Sequence, residues 1–203
     1  MSKKYAYELL QAHRTCYNKI LQERASGFNI AAKDYVGQAY ESHREEYLNS
    51  FPNLQAYRTK NVPDRLKEQI SRTNWADLQI FKKDILIGCE EDKGHYIDKC
   101  FLSRWLDNCA ETVQDCLESG HEPPEFILSC PTKYANTQSR IEKFLSRQRY
   151  DISLALKSRI NVFFLCEHGR VSRTKYLNSS NTQHPFKYSI QLATKEASFW
   201  LSL

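Results

Sequence analysis

The segment His121-Glu122-Pro123-Pro124 constrains the chain more than any other. Two consecutive prolines remove backbone donors and push the preceding residue out of the helical region. They end any helix and impose an extended connection. The chain is therefore expected to fall into a part spanning residues 1–122 and a part spanning 125–203, which can share one core because the link is short.

Before the break, apolar residues recur at helical spacing. Leu9, Leu10, Cys16, Tyr17, Ile20 and Leu21 predict a first helix over 3–25, which Gly27 stops. A second helix fits 31–48, with Tyr35, Val36, Tyr40 and Tyr47 on its apolar side. A third begins near Pro63, a residue suited to a first helical turn, and carries Leu66, Ile70, Leu78 and Phe81, with Thr73-Asn74 as a point where it can be interrupted. Gly88 and Gly94 bracket Glu90-Glu91-Asp92, which reads as an acidic loop. A fourth helix runs over 96–119, with Gly120 as its cap. Phe101, Trp105, Cys109, Val113 and Cys116 form its apolar face, and Cys100 points away.

After the break, Phe126 to Leu128 reads as a short strand. A fifth helix spans 136–158, broken near Asp151. From Ile160 the pattern changes: the apolar run to Leu165 predicts a strand buried on both faces. His168-Gly169 is a turn signal, followed by a strand over 171–177 and a polar loop over 178–185. Phe186, Tyr188, Ile190 and Leu192 alternate with polar residues, as in a half-buried strand. The expected fold class is α+β: a mainly helical N-terminal part of about four helices, then a basic helix and a small antiparallel sheet.

The net charge of +5 is unevenly divided. Residues 1–130 hold 17 Lys+Arg against 20 Asp+Glu, a balance of −3, and residues 131–203 hold 12 against 4, a balance of +8. Such asymmetry points toward nucleic acid or another acidic surface. Arg140, Lys143 and Arg147 share one helix face, away from Ile141, Leu145 and Ile152. Arg149, Lys157, Arg170, Arg173, Lys175 and Lys187 extend the cationic set, and Tyr176 supplies an aromatic for base stacking. The leading expectation is a non-enzymatic DNA- or RNA-binding accessory or regulatory protein, whose acidic helical part contacts proteins or a second copy. A solvated helix face also carries such cations. The same charge suits an adaptor or inhibitor that grips an acidic protein partner.

Enzyme signatures are sparse. There is no G-x-G-x-x-G, P-loop, G-x-S-x-G or H-E-x-x-H. His168 and His184, with Arg170, Arg173 and Tyr176, could form a metal-independent ribonuclease site, with a histidine moving the 2′-hydroxyl proton. Glu90, Glu91, Asp92 and Asp98 could hold Mg²⁺ for a nuclease, although consecutive carboxylates in a loop usually form a solvated turn. Cys89, Cys100, Cys109, Cys116, His121 and Cys130 cluster in sequence but lack closely spaced ligand pairs, so buried thiols are expected and not zinc. No cofactor is implied. Glu8, Gln11, His13 and Arg14 interrupt any apolar leader, and no run approaches a membrane span, so a cytoplasmic protein is expected.

Overall fold

The computed structural model describes residues 38, 41–42, 44–93, 99–132, 137–166, 189–192 and 200. The protein is α+β, built on a mixed six-stranded sheet whose strands lie side by side in chain order. Strands β1 (Leu54–Arg58), β2 (Leu78–Lys82) and β3 (Ile85–Asp92) form an antiparallel meander. Strands β4 (Glu125–Thr132), β5 (Ile160–Cys166) and β6 (Ser189–Leu192) then continue the sheet in parallel with β3.

The reversal from β2 to β3 is a two-residue turn at Lys83 and Asp84, both with positive φ (52° and 61°), which matches the twist of a tight hairpin. Parallel strands cannot be joined that way and need a crossover. Helix α2 (Lys99–Glu118) lies between β3 and β4, and helices α3 (Thr137–Leu145) and α4 (Tyr150–Arg159) lie between β4 and β5. Helix α2 buries Trp105, Cys109, Val113 and Cys116 and leaves Cys100 exposed, as its spacing predicts. Gly120 ends the segment at φ +69°, where a side chain would be strained.

Each face of the sheet carries its own core. On one, Cys89, Phe126, Leu128, Ile160 and Val162 pack against Trp105, Leu106, Cys109 and Val113 of α2 and against Ile141, Leu145, Ile152 and Leu156 of α3 and α4. On the other, Leu54, Ala56, Leu78, Ile80, Ile127 and Phe163 meet Tyr47, Leu48, Phe51 and Trp200. Tyr47 and Leu48 belong to helix α1, whose described residues are 38, 41, 42 and 44–49. Strands β4 and β5 contribute to both cores, and the apolar run is buried on both sides from Ile160 to Phe163. The free edge of β1 is closed by α1: Ala56 N–H donates to Asn49 Oδ1 (2.8 Å), and Asn49 Nδ2 donates to the Ala56 carbonyl (3.0 Å).

Three expectations are corrected. The N-terminal half is not simply a set of helices, because β1, β2 and β3 all lie within it. The helix expected from Pro63 through Phe81 is a short 3-10 helix (Asp64–Ile70) followed by β2. Leu66 and Ile70 pack with Val62 and Phe81 as a separate small cluster, so burial without helical continuity explains the spacing. The expected C-terminal antiparallel sheet is parallel where described, since β6 pairs with β5 in the same direction as β5 pairs with β4. Pro123-Pro124 falls between α2 and β4, and β4 docks directly beside β3 in the same sheet. The expected helix over 3–25 and strand over 171–177 lie outside the described residues. Among the described residues, no helix is long and apolar enough to cross a membrane.

Candidate active site

The acidic triplet is not a loop. Glu90, Glu91 and Asp92 end β3, and strand alternation sends them to opposite faces. Glu90 and Asp92 face α1 and are fully enclosed with Arg44, whose side chain is likewise inaccessible. Arg44 grips Glu90 with two bonds, Nε to Oε1 (2.6 Å) and Nη2 to Oε2 (3.0 Å), and its Nε lies 3.9 Å from Asp92 Oδ1. Glu91 and Lys93 point the other way and meet: Lys93 Nζ is 2.7 Å from Glu91 Oε1.

A third member comes from the start of β2. Asp77 lies beside the end of β3, and its Oδ2 is 3.9 Å from Lys93 Nζ. Its place is set by backbone bonds on three sides. Asp77 N–H donates to the Glu90 carbonyl (3.0 Å), and Thr59 N–H donates to the Asp77 carbonyl (2.9 Å). Asp92 N–H donates to the Asp77 carboxylate (2.8 Å). The bend leading to Asp77 is held by the buried Gln79, whose Nε2 donates to the Thr73 carbonyl (2.7 Å) and Thr59 Oγ1 (2.9 Å). Thr73 Oγ1 donates to Gln79 Oε1 in return (2.8 Å). This network explains why a glutamine is buried in β2.

Lys93 is fixed from further directions. Its N–H donates to the Ser129 carbonyl of β4 (2.9 Å), and its ammonium sits 4.7 Å from the Phe101 ring centroid of α2. The three side chains thus gather where β3 and β4 end and β2 begins. In sheets with parallel strands, the carboxyl ends of those strands are where ligands bind.

The electrostatics are those of a crowded, half-dry site. Burial first, and then the Asp77 carboxylate, push Glu91 up to about 7. Burial also raises Asp77, against the pull of Lys93. Burial disfavours the Lys93 ammonium, but Glu91 and Asp77 outweigh it and hold the lysine above its ordinary value. Lys93 therefore stays charged at neutral pH. Glu41 of α1 is raised by burial and by the charge of Asp77, which places a third carboxylate within electrostatic reach. Arg104 of α2 and Lys93 both favour the ionised form of Glu91, and Arg58 and Lys60 act likewise on Glu41.

Asp77 and Glu91 are hard oxygen donors of the kind a divalent cation takes. Among the described residues no three His, Cys, Asp or Glu side chains converge as a ready-made cage. Mg²⁺ does not require one, because it uses one or two carboxylates and completes its shell with water and phosphate oxygens. Among the described residues, the buried Glu91 Oε2 has no hydrogen-bond donor.

Of the residues singled out from sequence, the carboxylates divide. Glu91 joins the site, Glu90 and Asp92 lie behind it, and Asp98 is outside the described residues. Asp77, Lys93 and Glu41 carried no motif in the sequence reading. A usable signal was the two-residue spacing of Glu91 and Lys93 at the end of an apolar strand, because that spacing shares a face. Arg140 is half-buried on α3, and Lys143 and Arg147 are exposed on α3 and the turn after it. Arg149 is occupied by Asp151 (3.2 and 2.6 Å), and Lys157 is half-buried on α4. Helix α4 ends where Arg159 bonds Glu122 (2.5 Å) and Glu125 (3.5 Å). Glu125 aligns with Gly88, so Lys157 and Arg159 approach the opposite end of the sheet from Asp77, Glu91 and Lys93. Arg170, Arg173, Lys175, Tyr176, Lys187, His168 and His184 lie outside the described residues. No family model matches the chain, and no curated protein or solved structure matches it.

Proposed function

We propose that this protein is a divalent-metal-dependent nuclease. One observation carries the reading: the Asp77 and Glu91 carboxylates both face the Lys93 ammonium at the ends of the central strands. Carboxylate pairs hold Mg²⁺, and an adjacent fixed cation suits an anionic substrate whose charge grows in the transition state. A phosphodiester is such a substrate. The exposed Lys143 and Arg147 suit a polymeric one, since a chain of phosphates can be held at several points.

The roles follow from placement. Asp77 and Glu91 would hold the ion, which when bound supplies Lewis acidity toward a phosphate oxygen and an acidified water. Lys93, charged and confined between Glu91 and the Phe101 ring, steadies the negative charge that builds on the phosphoryl oxygens as water attacks. The products are a phosphomonoester end and a free hydroxyl end; no oxidant or second substrate is needed.

The test is incubation of the purified protein with labelled single- and double-stranded DNA and RNA, with Mg²⁺, Mn²⁺ or chelator. Metal-dependent cleavage is expected, with Asp77→Asn and Lys93→Met each reducing it by at least about 100-fold, the scale of lost transition-state stabilisation. Intact substrate in every lane would overturn the reading. Binding without cleavage would instead favour a non-catalytic nucleic-acid-binding protein, a reading supported by the exposed Lys143 and Arg147.

A further inference from the structure

We propose that Arg44 is a positioning residue for the Asp77, Glu91 and Lys93 site, acting through the segment of β3 that it clamps from behind. The inference rests on the nuclease reading for its consequence in catalysis, but its geometry stands apart from it.

The described contacts of Arg44 are with Glu90, Asp92 and Tyr47, not with the three site residues. It lies on the opposite face of β3, wholly buried, and bonds Glu90 through two parallel contacts of 2.6 and 3.0 Å. A guanidinium paired this way fixes the carboxylate in plane as well as in distance. The Arg44 guanidinium is itself braced at 5.1 Å from the Tyr47 ring centroid, one turn along α1. The next side chain on that face, Asp92, is also enclosed and lies 3.9 Å from Arg44. Arg44 therefore seats Glu90, the residue before Glu91, by direct bonds and reaches Asp92, the residue after it, through charge alone.

Those same two residues hold Asp77 with their backbones. The Glu90 carbonyl accepts from Asp77 N–H, and Asp92 N–H donates to Asp77 Oδ2. One clamp thus sets three things together: the direction of the Glu91 side chain, the seat of the Asp77 carboxylate, and the departure of the chain to Lys93. Arg44 and Glu90 are 46 residues apart, so the bond ties α1 directly to the site-bearing strand. A buried pair of this kind is rarely needed for stability alone, since apolar residues of similar volume do as well. Its use here is to fix geometry, to which a site that binds a small octahedral ion is sensitive.

The test compares the wild type with Arg44→Lys and with the double change Arg44→Met, Glu90→Met. The lysine retains the charge but cannot bond both oxygens. The double change removes the bonded pair together and leaves Asp92 to the neutral form that its burial favours, so it keeps a fold that a lone Arg44→Met would endanger. Two readouts are taken on the folded proteins. The first is the Asp92 backbone amide, by proton chemical shift and hydrogen exchange, which reports its bond to Asp77. The second is kcat and KM on an oligonucleotide with Mg²⁺. The Asp92 amide is expected to move upfield and to exchange at least tenfold faster in the double variant. Its kcat is expected to fall at least tenfold with KM within twofold, and Arg44→Lys is expected to fall between it and the wild type. An unchanged amide, or a moved amide with unchanged kcat, would overturn the proposal. If the wild type cleaves nothing, the nuclease reading fails, and the amide still decides whether the clamp exists.

Discussion

Replacing Glu91 by glutamine should make the protein more stable at pH 8 and leave its stability at pH 4 almost unchanged. In the folded protein the Glu91 carboxyl is raised from an ordinary 4.5 to about 7, chiefly by burial and then by Asp77. The folded state thus holds a proton that the unfolded chain has already released between those two values. Stability falls with pH wherever the folded state binds more protons. The contribution is fully present below pH 4.5, declines through the interval, and is gone above 7. A shift of this size corresponds to about 3 kcal/mol at about 1.4 kcal/mol per unit. Glutamine resembles the protonated acid and never incurs that loss, so about 3 kcal/mol is the ceiling for the gain at pH 8. Urea denaturation of both proteins at pH 4 and pH 8 reads it directly. With a slope of about 2 kcal/mol per molar, the midpoint should rise by up to about 1.5 M at pH 8. Mg²⁺ gives a second arm: if Asp77 and Glu91 together hold the ion as proposed, it should stabilise the wild type at pH 8 more than the variant, which keeps only the Asp77 carboxylate. Equal midpoint shifts at the two pH values, or a variant less stable at pH 8, would refute the electrostatic account.

Two further outcomes follow from other parts of the molecule. At Gly88 an added Cβ would lie 3.2 Å from Ile127 Cδ1 and 3.4 Å from the Glu125 carbonyl, so Gly88→Val should cost about 1–3 kcal/mol, read as a lower urea midpoint without a change of slope. Reversing Lys143 and Arg147 to glutamate should weaken nucleic-acid binding at low salt and flatten its salt dependence, measured by titration at several ionic strengths; unchanged affinity would remove α3 from the binding surface.

Some of this architecture is written plainly in the sequence. The spacing of Trp105, Cys109, Val113 and Cys116 specifies α2 because a 20-residue helix with one apolar face has little alternative. The run from Ile160 specifies β5 because it is too short and too apolar for a half-exposed helix. The meander was hidden for identifiable reasons. Leu66, Ile70, Leu78 and Phe81 have intervals that suit a helix, yet Leu66 and Ile70 pack beneath a 3-10 turn, and Leu78 and Phe81 belong to a strand. Gln79 looks like a surface residue until Thr59 and Thr73 are found around it. Three carboxylates in a row look like a solvated turn, because Arg44, the cation enclosed with Glu90 and Asp92, is 46 positions away from Glu90. The same distance in sequence concealed the site. Asp77 and Glu91 become neighbours only through the hairpin at Lys83 and Asp84, and no local pattern records that pairing.

The amide of Asn49 has a consequence for how copies of this protein can meet. An outermost strand normally offers a row of unused peptide groups, a template on which a second molecule can add its own strand. Here a side-chain amide, which has the same donor and acceptor as a peptide unit, occupies Ala56 N–H and C=O and so imitates the missing neighbour. Glu45 Oε1 takes the next outward donor, Arg58 N–H, at 3.2 Å. The β1 margin is thereby closed to edge-to-edge growth, a route to aggregation, by two side chains of one helix.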